Sequence, residues 1–123
     1  MSRFVILFHE PGQASSHSEH FDFMLESLEG TALATWRWER IPIQQTTFTA
    51  IQLPPHRLAY LEYEGAVSGD RGKVTRSIVG IYKDRISLND SQWEIKIESD
   101  QLQGTLNAQC LESDRWQFEF TPI

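Results

Sequence analysis

The stretch HFDFMLE, residues 20–26, is the clearest strand in the sequence, and its two faces differ in chemistry. Successive side chains of a β-strand point to opposite faces, so Phe21, Phe23 and Leu25 share one apolar face. The other face carries an imidazole, a thioether and two carboxylates: His20, Asp22, Met24 and Glu26. The Cα atoms of His20 and Asp22 would be about 7 Å apart, close enough for both side chains to reach one ion or phosphate. A solvated outer face would look similar, so the rest of the chain must decide.

Alternation with a period of two recurs along most of the chain and predicts further strands. It covers residues 3–9, 20–27, 32–38, 60–67, 73–82, 93–99, 102–111 and 115–120. Turn-formers separate these segments, among them Pro54-Pro55, Asn89-Asp90 and Ser113-Asp114. This spacing is typical of an antiparallel all-β sandwich or barrel with little helix. The short link at Glu29-Gly30 predicts a hairpin, whereas residues 43–52 fit a loop, a strand or a short helix.

Length and charge limit the class of protein. The 123 residues suit a single domain, residues 1–123, with the 40% hydrophobic and 23% charged content of ordinary globular proteins. The net charge of -6 argues against broad adhesion to nucleic acid, because such adhesion depends on Lys and Arg. A nucleic-acid role would therefore need a local site, with bound cations offsetting the negative charge.

The cysteine content and the first residues bear on location. The lone Cys110 excludes an internal disulfide framework, and the apolar run within residues 1–10 is too short for a signal peptide or a membrane span. We therefore expect a cytoplasmic monomer that does not contact membranes.

Three features admit both a functional and a structural interpretation, and the structural one is favoured for each. Cys110 has no CxxC partner, which favours a buried, inert thiol. The glycines of residues 65–72 suggest a phosphate loop, but the Walker pattern is absent, which favours a connection between strands. Four tryptophans could stack on bases, yet such residues are more often core in a small β-protein: Trp36, Trp38, Trp93 and Trp116.

All four histidines lie in the N-terminal half: His9, His17, His20 and His56. Three of them fall within the long polar loop of residues 9–20 or at its ends, and long loops in compact domains are often functional. Imidazole is the commonest transition-metal ligand, and Asp22 and Glu26 add carboxylates that could bind the ion or orient the rings. Nitrogen and oxygen ligands without a thiolate suit Mn²⁺ or Zn²⁺. Spacing alone leaves a metal site and a scatter of surface histidines equally open.

The order of the motifs resembles the 3'-phosphoesterase domain of bacterial DNA ligase D, which also occurs as small stand-alone proteins. In that family a strand ending in His leads through a loop to His-aromatic-Asp-Phe-Arg-Leu-Glu, and further motifs follow in a fixed order. The matching stretches here are FVILFH (4–9), HFDFMLE (20–26), LATWRW (33–38), HRLAY (56–60), EYEGAVSGDRGKV (62–74) and LQGTLNAQCLESDRWQFEF (102–120). The resemblance therefore spans nearly the whole chain.

The resemblance implies a compact antiparallel β-barrel with long connecting loops that trims the 3' ends of DNA or RNA. Members of the family use a divalent metal, typically Mn²⁺, and for this chain Zn²⁺ or Co²⁺ are alternatives. They remove a 3'-ribonucleoside and then the 3'-phosphate, which leaves the 3'-hydroxyl needed by a ligase or polymerase of end-joining repair. A cation on the phosphate oxygens would stabilise developing charge and orient the attacking water.

Residue roles are carried over by position. The resemblance implies three metal ligands: His9, His20 and Asp22. It implies that His20 and Asp22 act in catalysis together with His56. It implies phosphate or substrate contacts from His56, Arg40 and Tyr60, where Arg40 falls near a lysine of the family.

Three departures from the family pattern concern the phosphate clamp and the ligands. Met24 stands where the family has a phosphate-gripping arginine, and a thioether has neither charge nor a donor fork. Phe48 and Pro54 stand where another arginine and an acid are expected. The loop of residues 9–20 is longer than usual, so His17 is an alternative to His9 as third ligand. Five basic residues are candidates to compensate: Arg37, Arg40, Arg57, Arg71 and Lys73.

These departures leave three hypotheses for the function. The first is a metal-dependent phosphoesterase acting on 3' ends of nucleic acid. The second is a catalytically degenerate member that binds metal, phosphate or strand ends. The third is a β-barrel whose interior binds a small molecule, with incidental histidines.

Overall fold

The computed structural model describes residues 2–13, 18–69 and 71–123. These residues form nine strands and one short 3-10 helix. The strands are β1 (Arg3–Glu10), β2 (His20–Glu26), β3 (Leu33–Trp38), β4 (Thr46–His56), β5 (Gly65–Ala66), β6 (Lys73–Asn89), β7 (Gln92–Glu98), β8 (Gln103–Glu112) and β9 (Arg115–Pro122). The 3-10 helix spans Leu58–Leu61 and lies between β4 and β5.

Eight of the strands close into an antiparallel β-barrel, which confirms the predicted fold class. They follow the order β1-β2-β3-β4-β9-β8-β7-β6, and β6 pairs back with β1. The two-residue β5 pairs with the start of β6. The predicted hairpin is the β2–β3 pair, in which Phe21 lies opposite Trp38. Closure gives each of the eight strands a partner on both sides over at least part of its length, so none of these described strands lies wholly at a sheet edge.

Aromatic side chains dominate the barrel interior. Phe23 is fully buried and stacks on Trp38, with ring centroids 4.3 Å apart and planes within 6°. Phe118 meets both rings edge-on or nearly so. The prediction that the tryptophans are core residues is confirmed, since all four are buried: Trp36, Trp38, Trp93 and Trp116. The structure thus uses these rings for packing.

A second, smaller apolar cluster lies outside the barrel, on the outer faces of β1, β2, β3 and the start of β6. We call it the outer cluster; its buried members are Val5, Leu7, Met24, Leu33, Leu61 and Val74. The chain after β4 covers it, and we call residues 57–69 and 71–72 the covering segment. Leu58, Tyr60 and Val67 of that segment pack against the cluster. The covering segment is therefore held to the barrel wall by apolar contacts.

The strand predicted over residues 60–67 is wrong. The 3-10 helix takes its first part, and only Gly65–Ala66 is strand. Leu58 and Leu61, three residues apart, lie on one side of a 3-10 turn, and both contact the outer cluster. Burial of these two side chains thus overrides the alternation in the sequence.

The prediction of a turn at Pro54-Pro55 is also wrong, because β4 continues through both prolines to His56. Pairing with β9 stops at Ile51, so the prolines lie where β4 has only β3 beside it. A proline lacks the N–H that a second neighbour would need, and such a one-sided position accepts it. Residues 43–52, left open by the sequence, mostly belong to this strand.

Within the described residues, no helix has the length and apolar content to cross a membrane.

Candidate metal centre and adjoining cleft

The register between β1 and β2 brings three predicted ligands together on the outer face of the barrel. His9 lies directly opposite His20, and Leu7 lies opposite Asp22. Because side chains two residues apart share a face, His20 and Asp22 point outward together while Phe21 points inward. His9 is thus the cross-strand neighbour of His20 and the diagonal neighbour of Asp22.

The ligand atoms of these three residues converge. One nitrogen or oxygen of each of His9, His20 and Asp22 lies within 4.8 Å of the others. His9 Nδ1 is 3.3 Å from Asp22 Oδ2, and His20 Nε2 is 3.2 Å from Asp22 Oδ1. A tetrahedral or octahedral ion with ligands at about 2.0–2.2 Å separates its ligand atoms by similar distances. The spacing therefore fits a shared transition-metal ion.

Two of these atoms are buried without a hydrogen bond. Among the described residues, neither His20 Nε2 nor Asp22 Oδ1 has a partner, although the two atoms face each other. Only 7% of the His20 side chain and 5% of the Asp22 side chain are exposed, so bulk water does not solvate them freely. Unpartnered buried polar atoms are costly and rare in folded proteins. A cation between them would satisfy both.

Backbone carbonyls set the protonation of both imidazoles. His20 Nδ1 is 3.2 Å from the carbonyl oxygen of Ser18, and His9 Nε2 is 2.7 Å from that of Arg71. A carbonyl oxygen only accepts, so each of these nitrogens must carry the hydrogen and donate. In a neutral ring, His20 Nε2 and His9 Nδ1 then keep their lone pairs toward Asp22, whereas in a protonated ring the same nitrogens carry a hydrogen toward Asp22. This is the arrangement by which proteins orient histidine ligands of a metal.

The electrostatics keep Asp22 ionised. Burial alone would raise the pKa of the Asp22 carboxyl, but contact with His20 and His9 outweighs burial and lowers that pKa to about 2. Contact with the Asp22 carboxylate raises the pKa of His9, against burial, and the Arg71 carbonyl adds to the rise. The site therefore holds a permanent negative charge between two rings, which attracts a cation.

Arg37 adds a positive charge beside the site on the β3 side. It is the cross-strand neighbour of Asp22 on β3. Its positive charge opposes the rise in the pKa of His9. Its Nε atom is buried and has no hydrogen-bond partner among the described residues.

A cleft of about 440 Å³ opens beside the cluster, between the barrel wall and the covering segment. Twelve residues line it: Leu7, His9, Asp22, Met24, Pro54, Pro55, His56, Arg57, Tyr60, Val67, Arg71 and Val74. The His9 side chain is 20% exposed, more than His20 or Asp22. A ligand in the cleft would therefore approach the candidate metal centre from the His9 side.

Two residues of the predicted phosphate site lie in this cleft. His56 ends β4, and its Nδ1 is 3.0 Å from the carbonyl oxygen of Pro54, so Nδ1 donates and Nε2 remains for a ligand. Tyr60 meets the His56 ring edge-on, with centroids 5.6 Å apart. The imidazole is thus oriented by a backbone acceptor and an aromatic neighbour.

The structure separates Arg40 from these residues. Arg40 follows β3 and lines a different hollow, formed with Pro42 and residues 46–49. It is not one of the described residues that line the cleft. Phe48, which stands where the resemblance led us to expect an arginine, packs edge-on against Trp38 near the interior. His17, the alternative third ligand, lies outside the described residues.

Sequence reasoning missed the partners that orient the ligands. The carbonyl groups of Ser18 and Arg71 act through the backbone, so their side chains carry no sign of the role. One signal was present: Gly72 has φ +92°, and a Cβ there would lie 1.8 Å from the carbonyl oxygen of Glu10. Only glycine permits this close approach, which brings residue 71 onto His9.

No protein-family model matches the chain, and no curated protein gives a significant match to it.

Proposed function

We propose that this protein is a metal-dependent phosphoesterase that trims 3' ends of nucleic acid strands, removing a 3'-ribonucleoside and the 3'-phosphate left behind. The observation that carries the proposal is the convergence of the lone pairs of His9, His20 and Asp22 beside a cleft that also holds His56. Two nitrogens and a carboxylate fit Mn²⁺, and also Zn²⁺ or Co²⁺. The residues named by the resemblance thus include a chemically sensible ion site.

Removal of a 3'-phosphate breaks the bond between phosphorus and the 3' oxygen and forms one between phosphorus and a water oxygen. When bound, the divalent ion would neutralise phosphate charge and lower the pKa of a bound water. Asp22 and the two histidines would hold that ion beside the cleft. In its protonated form, His56 would donate from Nε2 to a phosphate oxygen or to the departing 3' oxygen. The product carries the 3'-hydroxyl that a ligase or polymerase requires.

The test is an end-trimming assay with defined 3' termini. Metal-free protein is supplied with Mn²⁺, Zn²⁺ or Co²⁺ and given a 5'-labelled primer-template that ends in a 3'-phosphate or a single 3'-ribonucleotide. We expect Mn²⁺-dependent conversion to a 3'-hydroxyl end, and a fall of at least about 100-fold in His20→Ala. Glu26→Gln is the matched control, since Glu26 lies on the same strand and face but outside the cluster. Folded, metal-binding protein that yields no product with any of the three ions would reject the enzymatic function.

A second candidate function is a non-catalytic module that binds strand ends. Met24 favours it, because its side chain is only 1% exposed and lies in the outer cluster and in the lining of the cleft. The position that carries an arginine in the resembling family is thus occupied by an apolar group. Replacing this arginine by an apolar group would impair turnover more than phosphate binding. Catalysis requires stabilisation of the charge that develops in the transition state, whereas binding does not.

Met24→Arg separates the two functions. If the protein is a degenerate binder, the unaltered chain is inactive and Met24→Arg gains turnover. Met24→Leu is the packing control, because it keeps an apolar side chain of similar volume and should cost less than about 1.5 kcal/mol. Robust activity in the unaltered protein rules out the binding-only function.

A further inference from the structure

Two arginines of the covering segment, Arg57 and Arg71, line the cleft beside the candidate metal centre. We propose that they form the anion clamp of this protein and bind a terminal phosphomonoester at the 3' end of a strand. The inference rests on the proposed function for the identity of its ligand. It moves the clamp from strand β2, where the resemblance would place it, to the segment that covers β2.

The residues of β1 and β2 that line the cleft include no arginine or lysine. Met24 occupies the relevant position on β2, and its neighbours in the cluster are apolar, among them Leu7 and Val74. Asp22 is the one charged side chain of that strand among the described residues that line the cleft, and it is negative. A phosphate drawn to this wall alone would meet a carboxylate and hydrocarbon. Among the described residues that line the cleft, positive charge must therefore come from the side opposite this wall, or from a bound ion.

Arg71 is held in place for such a role. Its Nε donates to the carbonyl oxygen of Ser68 at 2.7 Å, and its Nη2 donates to Ser68 Oγ at 3.0 Å. These bonds fix one edge of the guanidinium and leave Nη1 and the second hydrogen of Nη2 for a ligand. A guanidinium that is already held in one orientation loses less side-chain entropy on binding an anion than a mobile one does.

The same residue connects the clamp to the metal centre. The carbonyl oxygen of Arg71 accepts from His9 Nε2, while its side chain lines the cleft. A shift of this residue would therefore move a metal ligand and an anion donor together. Arg57 follows His56 in the chain, and both residues line the same cleft as Arg71.

Charge decides which phosphate fits best. Within the described residues, neither Arg57 nor Arg71 has a carboxylate within 4.0 Å, whereas Lys73 contacts Glu10 at 3.6 Å and Arg76 contacts Glu64 at 4.0 Å. Two guanidinium groups offer more positive charge than one diester group carries. A terminal phosphomonoester has a second negative charge near neutral pH. The cleft should therefore prefer a strand end that bears a monoester.

The test measures binding, independently of turnover. Fluorescence anisotropy compares short labelled oligonucleotides that end in 3'-phosphate, 3'-hydroxyl or 5'-phosphate, with metal-free protein in EDTA. The comparison is repeated in Mn²⁺ with a non-hydrolysable 3'-phosphonate. The variants are Arg57→Gln, Arg71→Gln, the double variant and Arg40→Gln. Arg85→Gln is the matched control, with the same charge change on β6 outside the cleft lining. Circular dichroism and Tm verify that each variant is folded.

We expect the unaltered protein to prefer the 3'-phosphate end, and each cleft variant to lose at least about tenfold in affinity for it, with affinity for the 3'-hydroxyl end nearly unchanged. Unchanged affinity in the double variant, or a loss confined to Arg40→Gln, would overturn the clamp. An equal preference for a 5'-phosphate end would overturn the assignment to 3' ends. The clamp and the enzyme can fail separately: binding through Arg57 and Arg71 without turnover rejects only the proposed reaction, and turnover that ignores both arginines rejects only the clamp.

Discussion

The inside and the outside of strand β2 are built from alternating residues of one short segment, yet they obey different physical rules. The inner face carries Phe23, which stacks on Trp38 in a closely packed aromatic core. The outer face carries His20 and Asp22, whose buried polar atoms face each other without a hydrogen bond. The inner face is stable as it stands. The outer face leaves these two buried polar atoms unpartnered, and a cation between them would satisfy both.

The first prediction breaks the inner side. Phe23→Ala removes a fully buried ring that contacts Trp38 and Phe118. We expect a loss of about 3–5 kcal/mol in the free energy of unfolding, because the cavity cannot collapse in a closed barrel. Chemical denaturation measures it, and Phe23→Leu should lose clearly less. A loss below about 1 kcal/mol would mean that the interior is not packed as described.

The second prediction concerns the outer face of β2 and removes the charge of the candidate metal centre. Asp22→Asn keeps the shape of the side chain but removes the charge between His9 and His20. Affinity for Mn²⁺ or Zn²⁺ should fall by more than about 100-fold. Removing a metal ligand should lower the affinity more than removing a residue that only hydrogen-bonds to a ligand. Isothermal titration calorimetry measures the affinity, with Glu26→Gln as control. Equal metal affinity in Asp22→Asn and unaltered protein would remove Asp22 from the ligand set.

The third prediction tests how the covering segment supports the outer side. Gly72→Ala places a Cβ 1.8 Å from the carbonyl oxygen of Glu10 at φ +92°, so the backbone must move. The Arg71 carbonyl would then leave His9 Nε2, and metal affinity should fall by about 10–100-fold. The strain should also cost about 1–3 kcal/mol in the free energy of unfolding.

Gly69→Ala is the matched control for this substitution. Gly69 also has a positive φ, of +73°, but its nearest neighbour would be an Arg71 side-chain atom at 4.0 Å. Gly69→Ala should lower the free energy of unfolding by about 1–2 kcal/mol, because alanine is strained in the left-handed backbone conformation. It should leave metal affinity nearly unchanged. Similar losses of metal affinity in both variants would show that the covering segment as a whole, and not the contact at residue 72, orients His9.

The fourth prediction has the smallest effect and concerns an exposed pair on the outer side. A hydrogen bond from Arg3 to the Glu26 carboxylate lowers the pKa of Glu26 below its ordinary value of 4.5. A carboxyl with a lowered pKa stabilises the fold above its unfolded pKa and loses that contribution as the pH falls through its folded pKa. Glu26→Gln should therefore lower Tm by only about 1–2 °C at pH 7, with the difference shrinking below pH 4.5. Thermal denaturation from pH 7 to pH 3 measures this, and a difference that grows with acid would contradict it.

Much of the fold was predictable because period-two alternation reports which side chains face a core. It correctly indicated the strands around Phe23, Trp36 and Phe118, and a hairpin at Glu29-Gly30. It misled at residues 60–67, where the alternating apolar residues bury against the outer cluster in a 3-10 turn. Alternation describes burial on one face of a strand, and it cannot identify burial made by a short helix on the outside of a barrel.

The candidate site was predictable only in part. His20 and Asp22 share a strand, so their common face follows from the sequence alone. His9 joins them through the register of β1 against β2, which depends on how two strands pair. Arg57 and Arg71 reach the same cleft only because Leu61 and Val67 hold the covering segment to the barrel wall. Arg40 shows the opposite outcome. The resemblance assigned it to the phosphate site from its place along the chain, but it lines a different hollow.

The sequence by itself determined that the protein is built of β-strands and that His20, Asp22 and Met24 share one strand face. The reason is local: side chains alternate along an extended backbone whatever its partners are. Only the tertiary structure decided that this face lies outside the barrel and under a covering segment. It also decided that the carbonyl of Arg71 orients His9. Those features depend on strand pairing, apolar packing and the close backbone approach at Gly72, all of which join residues distant in the chain.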